Sequence, residues 1–371
     1  MIQPRCVVVF AGSSGGHLFP ALAFGEVFRE KYPESTVILV SGQKAKRFSS
    51  CLNPQVFGEV FYLPEFPLPT GFSWGAVLFI FKLLQGFMIS LRFLLKHKPD
   101  LCVGFGSYVA YPGIMLSSML RIPVIIHEQN RFMGKATRHL LCFSDFVGVT
   151  FNETLDDIKK SVRKVMVGLP IRSALRSKAN QMRKQLPTGI FQILVVGGSQ
   201  GAHRLNEIVI DAFSCFTPEE KQQIAVIHIT GKDDWPWVMR RYRSLQIQSE
   251  IYPFYENMEL IYPKADLAIT RCGANTLFEL ALFRIPAIVV PYPLAEKHQL
   301  ENSKVFALHH AVILREENSL NGATLADLVR QMKRDDRQLQ DLSDNIGKME
   351  DPNAADRLVT LAEEIMEEYQ R

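Results

Sequence analysis

Among its 371 residues the chain has six cysteines, Cys6, Cys51, Cys102, Cys142, Cys215 and Cys272, scattered without a CxxC pair or a Cys/His cluster at zinc-ligand spacing. That excludes a disulfide framework and a structural zinc site, and the thiols read as reduced, as in a cytosolic protein. No charged, apolar, small-residue progression of a signal peptide precedes the first strand, so secretion is not indicated. The chain lacks a DxD-type carboxylate pair, so chemistry without an obligatory metal ion is expected. It also lacks an uninterrupted apolar run: the most hydrophobic stretch, residues 72–95, is broken by Lys82, Gln85 and Arg92. A charge at the centre of a spanning helix costs roughly 2.5–3.5 kcal/mol, which argues against insertion.

What is present is globular composition, 47% hydrophobic and 22% charged, in a chain long enough for two domains. Net charge is +4 but uneven: residues 1–165 hold 18 Lys/Arg against 11 Asp/Glu, and residues 166–371 hold 24 against 27. A basic first half suits phosphates or an anionic membrane surface.

Short β-branched runs alternate with helical stretches at Cys6–Phe10, Thr36–Val40, Leu101–Val103, Val124–His127, Phe146–Val149, Ile193–Val196, Ala225–Ile229, Leu267–Thr270 and Ala287–Val290. Strands mostly 20 to 30 residues apart, with helices between, call for crossovers and parallel sheets. The pattern restarts near Ile193, after Gly168–Arg172 and the basic run Arg176–Gln185. Two doubly wound α/β domains with a cleft between them are expected, with ligands beyond the carboxyl ends of the strands.

Glycine loops follow three strands, at Gly12–His17, Gly104–Tyr108 and Gly197–Ala202. Each is weak alone, since tight turns also select glycine, but three in strand-end positions point to phosphate-bearing ligands. A dinucleotide enzyme would want an acidic residue at the end of the second strand, where the chain reads Ser41-Gly42-Gln43-Lys44. Lys44, Lys46 and Arg47 could there meet a 2′-phosphate, so that alternative is weakened and kept.

Gly273-Ala274-Asn275-Thr276 reads as a helix start with Glu279 one turn later. The unpaired N–H groups of a helix N-terminus suit a phosphate, and a carboxylate one turn in can accept two hydrogen bonds from a ribose diol. The combination describes a seat for a nucleotide sugar.

Seven ordered motifs, AGSSGGHLFPALA (11–23), GFGSYVAYPG (104–113), HEQN (127–130), GLPIR (168–172), GGSQGAHRLN (197–206), TRCGANTLFEL (270–280) and EKHQLENS (296–303), resemble the MurG family of membrane-associated N-acetylglucosaminyltransferases of peptidoglycan synthesis. The resemblance implies a GT-B glycosyltransferase fold, two Rossmann-like domains with parallel sheets facing across a cleft. Its domains would be an acceptor and membrane-facing one at 1–165, a UDP-N-acetylglucosamine-binding one at 166–345, and a C-terminal helix within 346–371 crossing back to the first. It implies inverting transfer of N-acetylglucosamine to the C4 hydroxyl of N-acetylmuramic acid in lipid I, giving lipid II. No cofactor and no nucleic acid partner are expected. The place implied is the cytoplasmic face of the plasma membrane, as a peripheral protein on an anionic surface.

Residue by residue, the resemblance assigns Glu279 to the ribose, and Thr276 with the N–H groups of Ala274 and Asn275 to the diphosphate. Ser199 and Gln200 fall to the phosphates, and Arg172 to the leaving UDP. His298 and Gln299 match the pair reading the sugar hydroxyls, His298 departing from the Gln-Gln of some relatives, and Asn130 reaches the donor sugar. Ser14, which replaces the usual threonine, is counted on the donor side with Gly15 and Gly16, though their N–H groups also suit the acceptor diphosphate. His17 matches the general base and an acceptor contact, Glu128 is a second candidate for proton handling, and Gly106 and Tyr108 match acceptor positions. Residues 72–95 read as an amphipathic surface helix with Trp74, Leu78, Phe81 and Lys82 at the membrane. Competing functions are a transferase with another lipid-linked acceptor, a UDP-sugar epimerase on the same scaffold, and a non-catalytic membrane-surface module.

Overall fold

The computed structural model describes residues 4–65, 74–181, 189–198, 201–294 and 297–370. The chain divides into two compact units, one of residues 1–173 with 353–371, the other of residues 174–352.

In the first unit β1 (Cys6–Phe10), β2 (Thr36–Gly42), β3 (Phe57–Leu63), β4 (Leu101–Gly104), β5 (Val124–Glu128), β6 (Phe146–Val149) and β7 (Lys164–Met166) form one sheet in the order β3-β2-β1-β4-β5-β6-β7. Every pairing is parallel. Crossovers are made by α1 (Gly15–Lys31), α2 (Trp74–His97), α3 (Tyr111–Met119) and α4 (Lys135–Leu140). The inner strands are continuous apolar runs because helices can cover both faces of a parallel sheet, and β1, β4 and β5 are buried along their whole length.

The second unit opens with α5 (Ser173–Gln181) and repeats the plan with β8 (Phe191–Val196), β9 (Ile224–Ile229), β10 (Gln248–Tyr252), β11 (Leu267–Thr270), β12 (Ala287–Val289) and β13 (Ile313–Leu314), ordered β10-β9-β8-β11-β12-β13. Its helices are α6 (His203–Ser214), α7 (Pro218–Gln222), α8 (Trp235–Leu245), α9 (Ala274–Leu282), α10 (His298–Leu308), α11 (Gly322–Arg334) and α12 (Asp336–Gly347). The core joins Ile193 and Val195 of β8 to Leu205, Ile208 and Val209 of α6 and Leu325 and Val329 of α11.

The last helix, α13 (Ala354–Gln370), belongs to the first unit and packs along α1. It buries Leu358, Val359, Ala362, Ile365 and Met366. Polar ties fix its register: Lys31 pairs with Glu363 at 2.6 Å, Arg163 with Glu368 at 2.6 Å, Arg357 donates to the Val167 carbonyl at 2.9 Å, and Tyr369 donates to Asp145 at 2.7 Å.

In both sheets the switch in strand order lies beside the first strand, β1 against β4 and β8 against β11. Ligands of open α/β sheets bind at such points, beyond the carboxyl ends. The loops Gly12–His17 and Gly104–Tyr108, the pair Gly197-Gly198 and the Gly273 turn follow those strand ends.

Candidate active site

In the first unit β1 ends at Phe10 and the chain turns through Ala11–Ser13 to Ser14, the extended N-cap of α1. No acidic side chain sits in the opening turn at Gly15 and Gly16, where the helix dipole is positive, and the Glu65 carboxylate accepts from the Ser13 hydroxyl just before it. His17 follows, half-buried in a slot that only glycines allow. A Cβ on Gly12 would come within 2.8 Å of its ring, and one on Gly106, which has φ +77°, within 3.1 Å. Tyr108 is half-buried at the start of the next short turn.

The segment after β5 closes against this slot. Glu128 is buried; its Oε1 accepts from the Asn130 backbone N–H at 3.0 Å and side-chain amide at 3.2 Å, and its Oε2 accepts from the Gly134 N–H at 3.2 Å. Gly134 is the N-cap of α4, so this carboxylate shapes the whole connection. Gln129 Oε1 lies 3.2 Å from His17 Nδ1. Behind it His127 is fully buried, with Nε2 2.9 Å from the Gly168 carbonyl, and burial lowers its pKa to about 4. Arg172 stacks its guanidinium 4.6 Å from the ring centre of Phe19 on α1, and its Nε is buried without a hydrogen-bond partner. The neighbouring Ser173 N–H donates to Glu26 of α1 at 2.7 Å. Ser14–His17, Gly106, Glu128–Asn130 and Arg172 thus converge in one unit.

In the second unit α9 starts at Ala274 with Gly273 as N-cap, and no acidic residue occupies its first turn. The N–H groups of Ala274, Asn275 and Thr276 head the helix, where the dipole favours an anion. Glu279 is buried one turn later, and Tyr262 Oη donates to its Oε2 at 2.6 Å. Gln299 Oε1 accepts from the Cys272 N–H at 3.3 Å and the Tyr292 N–H at 2.9 Å. Because that oxygen is held by two backbone donors, the Gln299 amide presents only N–H groups outward. Asn302 Nδ2 donates to the Cys272 carbonyl at 3.4 Å, a second tie between α10 and the turn before α9. His298 opens α10 after Lys297 in left-handed conformation, φ +68°. Arg271 is buried in an ion pair with Glu317 and donates to the carbonyls of Val290 and Pro291 at 3.2 and 3.3 Å, joining the ends of β11 and β12.

Ser199 and Gln200 lie outside the described residues, as does Glu296. Gly201, beside them, has φ +80° and approaches Thr230 so closely that a Cβ would sit 2.8 Å from its carbonyl oxygen. Trp74 and Leu78 fall on the backbone of α2, Phe81 is exposed and Lys82 half-buried. The basic trio considered for a 2′-phosphate is engaged locally: Lys44 pairs with Glu65 at 3.4 Å, and Lys46 and Arg47 lie over Tyr62 and Phe48.

Sequence reasoning missed Gln129, His127, Tyr262, Arg271 and Asn302 as site-building residues. The first two stand inside HEQN and the last inside EKHQLENS, so their signal was a motif with unassigned letters. Tyr262 had none, since it comes from a short turn between β10 and β11.

Residues 7–148 match the Glycosyltransferase family 28 N-terminal domain, and residues 192–358 match the Glycosyltransferase family 28 C-terminal domain. The chain is 31% identical over 351 residues to the UDP-N-acetylglucosamine–N-acetylmuramyl-(pentapeptide) pyrophosphoryl-undecaprenol N-acetylglucosamine transferase of Carboxydothermus hydrogenoformans, covering 92% of this chain and 93% of that protein. It is 32% identical over 370 residues to the protein of the same name from Halothermothrix orenii, covering 96% and 98%. Among solved structures it resembles the crystal structure of Acinetobacter baumannii MurG, with TM-score 0.74 and 25% identity over 97% of this chain and 100% of that one.

Proposed function

The chain belongs to glycosyltransferase family 28, with the UDP-N-acetylglucosamine–N-acetylmuramyl-(pentapeptide) pyrophosphoryl-undecaprenol N-acetylglucosamine transferases, and from that premise we propose that it moves N-acetylglucosamine from UDP-N-acetylglucosamine to the C4 hydroxyl of N-acetylmuramic acid in lipid I, forming lipid II. The observation that carries the reading is the near-full-length similarity to transferases of that one name. The arrangement of side chains supports it.

In this reading the second unit holds the donor. Glu279 accepts from the ribose hydroxyls, the start of α9 with Thr276 faces the diphosphate, and His298 and Gln299 read the sugar. Ser199 and Gln200 add phosphate contacts, and Asn130 and Arg172 are further donor-site residues. The first unit binds the acceptor through Gly106, Tyr108 and the Ser14–Gly16 turn. His17 takes the proton from the C4 hydroxyl as its oxygen attacks the sugar C1, and the bond from C1 to the UDP oxygen breaks with inversion. UDP leaves with the electron pair, and the helix dipole and the Arg172 charge stabilise it. Glu128, with its oxygens committed to backbone and amide donors, shapes the loop and leaves proton transfer to His17.

The reading also puts the protein on the membrane as a peripheral enzyme of the cytoplasmic face. No helix of the described residues is long and apolar enough to cross a bilayer. On α2, Phe81 is 68% exposed, Leu84 59% and Met88 52%, and with Arg92, Leu95 and Lys96 they line one stripe at helical spacing. Apolar residues with cations on the same stripe suit an anionic lipid surface. Met119 and Leu120, exposed at the end of the adjoining α3, extend the apolar area.

The test is release of UDP from UDP-N-acetylglucosamine with and without a soluble lipid I analogue, with the sugar product identified. The transferase releases UDP in step with a β-1,4-linked disaccharide. Conversion of the donor to another UDP-sugar without acceptor would replace it with an epimerase.

A further inference from the structure

The side chains behind His17 form a directed chain of hydrogen bonds whose polarity can be read from one end. It begins at the carbonyl of Gly168, a residue with φ +86°, which lies 2.9 Å from His127 Nε2. A carbonyl only accepts, so Nε2 of His127 carries the proton. The ring is wholly buried and stays neutral at physiological pH, which makes its Nδ1 an acceptor. Gln129 Nε2 lies 3.2 Å from that Nδ1 and 3.0 Å from the His127 carbonyl oxygen. Two acceptors on one side define the nitrogen end of the amide and consume its two N–H groups. The oxygen end is therefore the one facing His17, 3.2 Å from its Nδ1. An amide oxygen cannot donate, so the proton of a neutral His17 must sit on Nδ1.

We propose that Gln129 and His127 are positioning residues that hold His17 in the Nδ1–H tautomer, leaving the lone pair of Nε2 for the acceptor hydroxyl. This rests on the reading of His17 as general base. Free imidazole side chains favour the opposite tautomer, with the proton on Nε2, which cannot accept a proton at that nitrogen. The relay removes the unproductive form, and the missing side chains at Gly12 and Gly106 leave the room the ring occupies. Its anchor, Gly168, opens the same GLPIR segment that ends in Arg172, so one stretch of backbone sets both the base tautomer and the stacked arginine.

The experiment uses full-length protein labelled with 15N-histidine, the His17 resonances being assigned by their loss in His17→Ala. In the native protein, long-range 1H–15N spectra of the neutral rings are expected to show His17 as Nδ1–H and His127 as Nε2–H. Gln129→Met, close in volume but unable to accept from His17, is expected to move His17 toward Nε2–H and to lower kcat at least about tenfold, with the KM for UDP-N-acetylglucosamine changing less than about threefold. In Gln129→Glu a carboxylate again accepts from Nδ1, and the Nδ1–H signal and part of kcat are expected to return. Finding native His17 as Nε2–H overturns the proposal, as does a fall in kcat in Gln129→Met with the tautomer unchanged. A tautomer shift with undiminished kcat would support the hydrogen-bond assignment and instead take down His17 as base.

Discussion

Tyr262 Oη donates a 2.6 Å hydrogen bond to Oε2 of Glu279, from a turn lying before β11 to the second turn of the helix after it. The phenol ring itself is fixed, buried and stacked 5.3 Å from Phe283. A flexible carboxylate is thereby held in one rotamer before any ligand arrives, which lowers the entropy cost of binding a diol.

Glu279→Ala is therefore expected to weaken UDP binding by about 10- to 100-fold, the worth of hydrogen bonds to a charged group. Tyr262→Phe should weaken it less, by about tenfold or under, since the carboxylate remains but is no longer steered. Calorimetric titration with UDP measures both. In the double variant the tyrosine change should add nothing, because its effect runs through the missing carboxylate. Unchanged affinity in Glu279→Ala would remove it from the ribose.

Replacing His17 with Ala is expected to lower kcat by about 100-fold or more while the KM for UDP-N-acetylglucosamine changes little, as when a proton acceptor acts only in the transition state. Steady-state kinetics with a soluble lipid I analogue provide the comparison. Near-normal turnover would end its candidacy.

Flotation with vesicles containing anionic lipid tests the α2 stripe. Phe81→Asp with Met88→Asp, and separately Arg92→Glu with Lys96→Glu, are expected to reduce bound protein several-fold, since each cation near the surface is worth about 1 kcal/mol. The melting temperature should hold, because Phe81 and Met88 contribute little to the core. Retained binding in both variants would exclude this helix as the contact.

Two wholly buried histidines make stability depend on pH. Burial lowers His127 to about 4 and His228 to about 3, from an ordinary 6.5. The unfolded chain takes up both protons below about 6.5 while the folded chain refuses them until near 4 and 3, so their contribution is full above 6.5 and is lost as pH falls. Each contributes a slope of up to about 1.4 kcal/mol per pH unit in that window. Glu350, raised to about 7 chiefly by burial, acts in the opposite sense between about 4.5 and 7, so the two histidines leave a net loss toward acid. Urea unfolding at pH 7 and pH 5 should show lower stability at pH 5, and His228→Asn should reduce the difference. Equal stability at the two pH values would contradict the burial account.

The strands legible in the sequence and those that escaped it differ in one physical respect. Cys6–Phe10, Leu101–Val103, Ile193–Val196 and the others found are interior strands, apolar because both faces are covered. The four missed, β3, β7, β10 and β13, are the two edges of each sheet, and there polar residues such as Glu59, Lys164 and Glu250 interrupt the pattern. An edge strand needs a neighbour on one side only, so its composition carries little of its pairing. The helix start at Gly273 and the placement of Glu279 were readable because capping and dipole rules act within one turn. Tyr262 and the amide of Gln129 were not, because their effect depends on atoms brought together by packing rather than by spacing along the chain.

The packing of α13 on α1 has a consequence during synthesis. Residues 354–370 leave the ribosome only after the entire 174–352 segment, which takes on the order of ten to forty seconds at ordinary elongation rates. Through that interval α1 has its apolar side uncovered, so the unit that begins the chain is completed after the one that follows it. Chaperone capture of stalled nascent chains should therefore be strongest in those ending just short of Ala354.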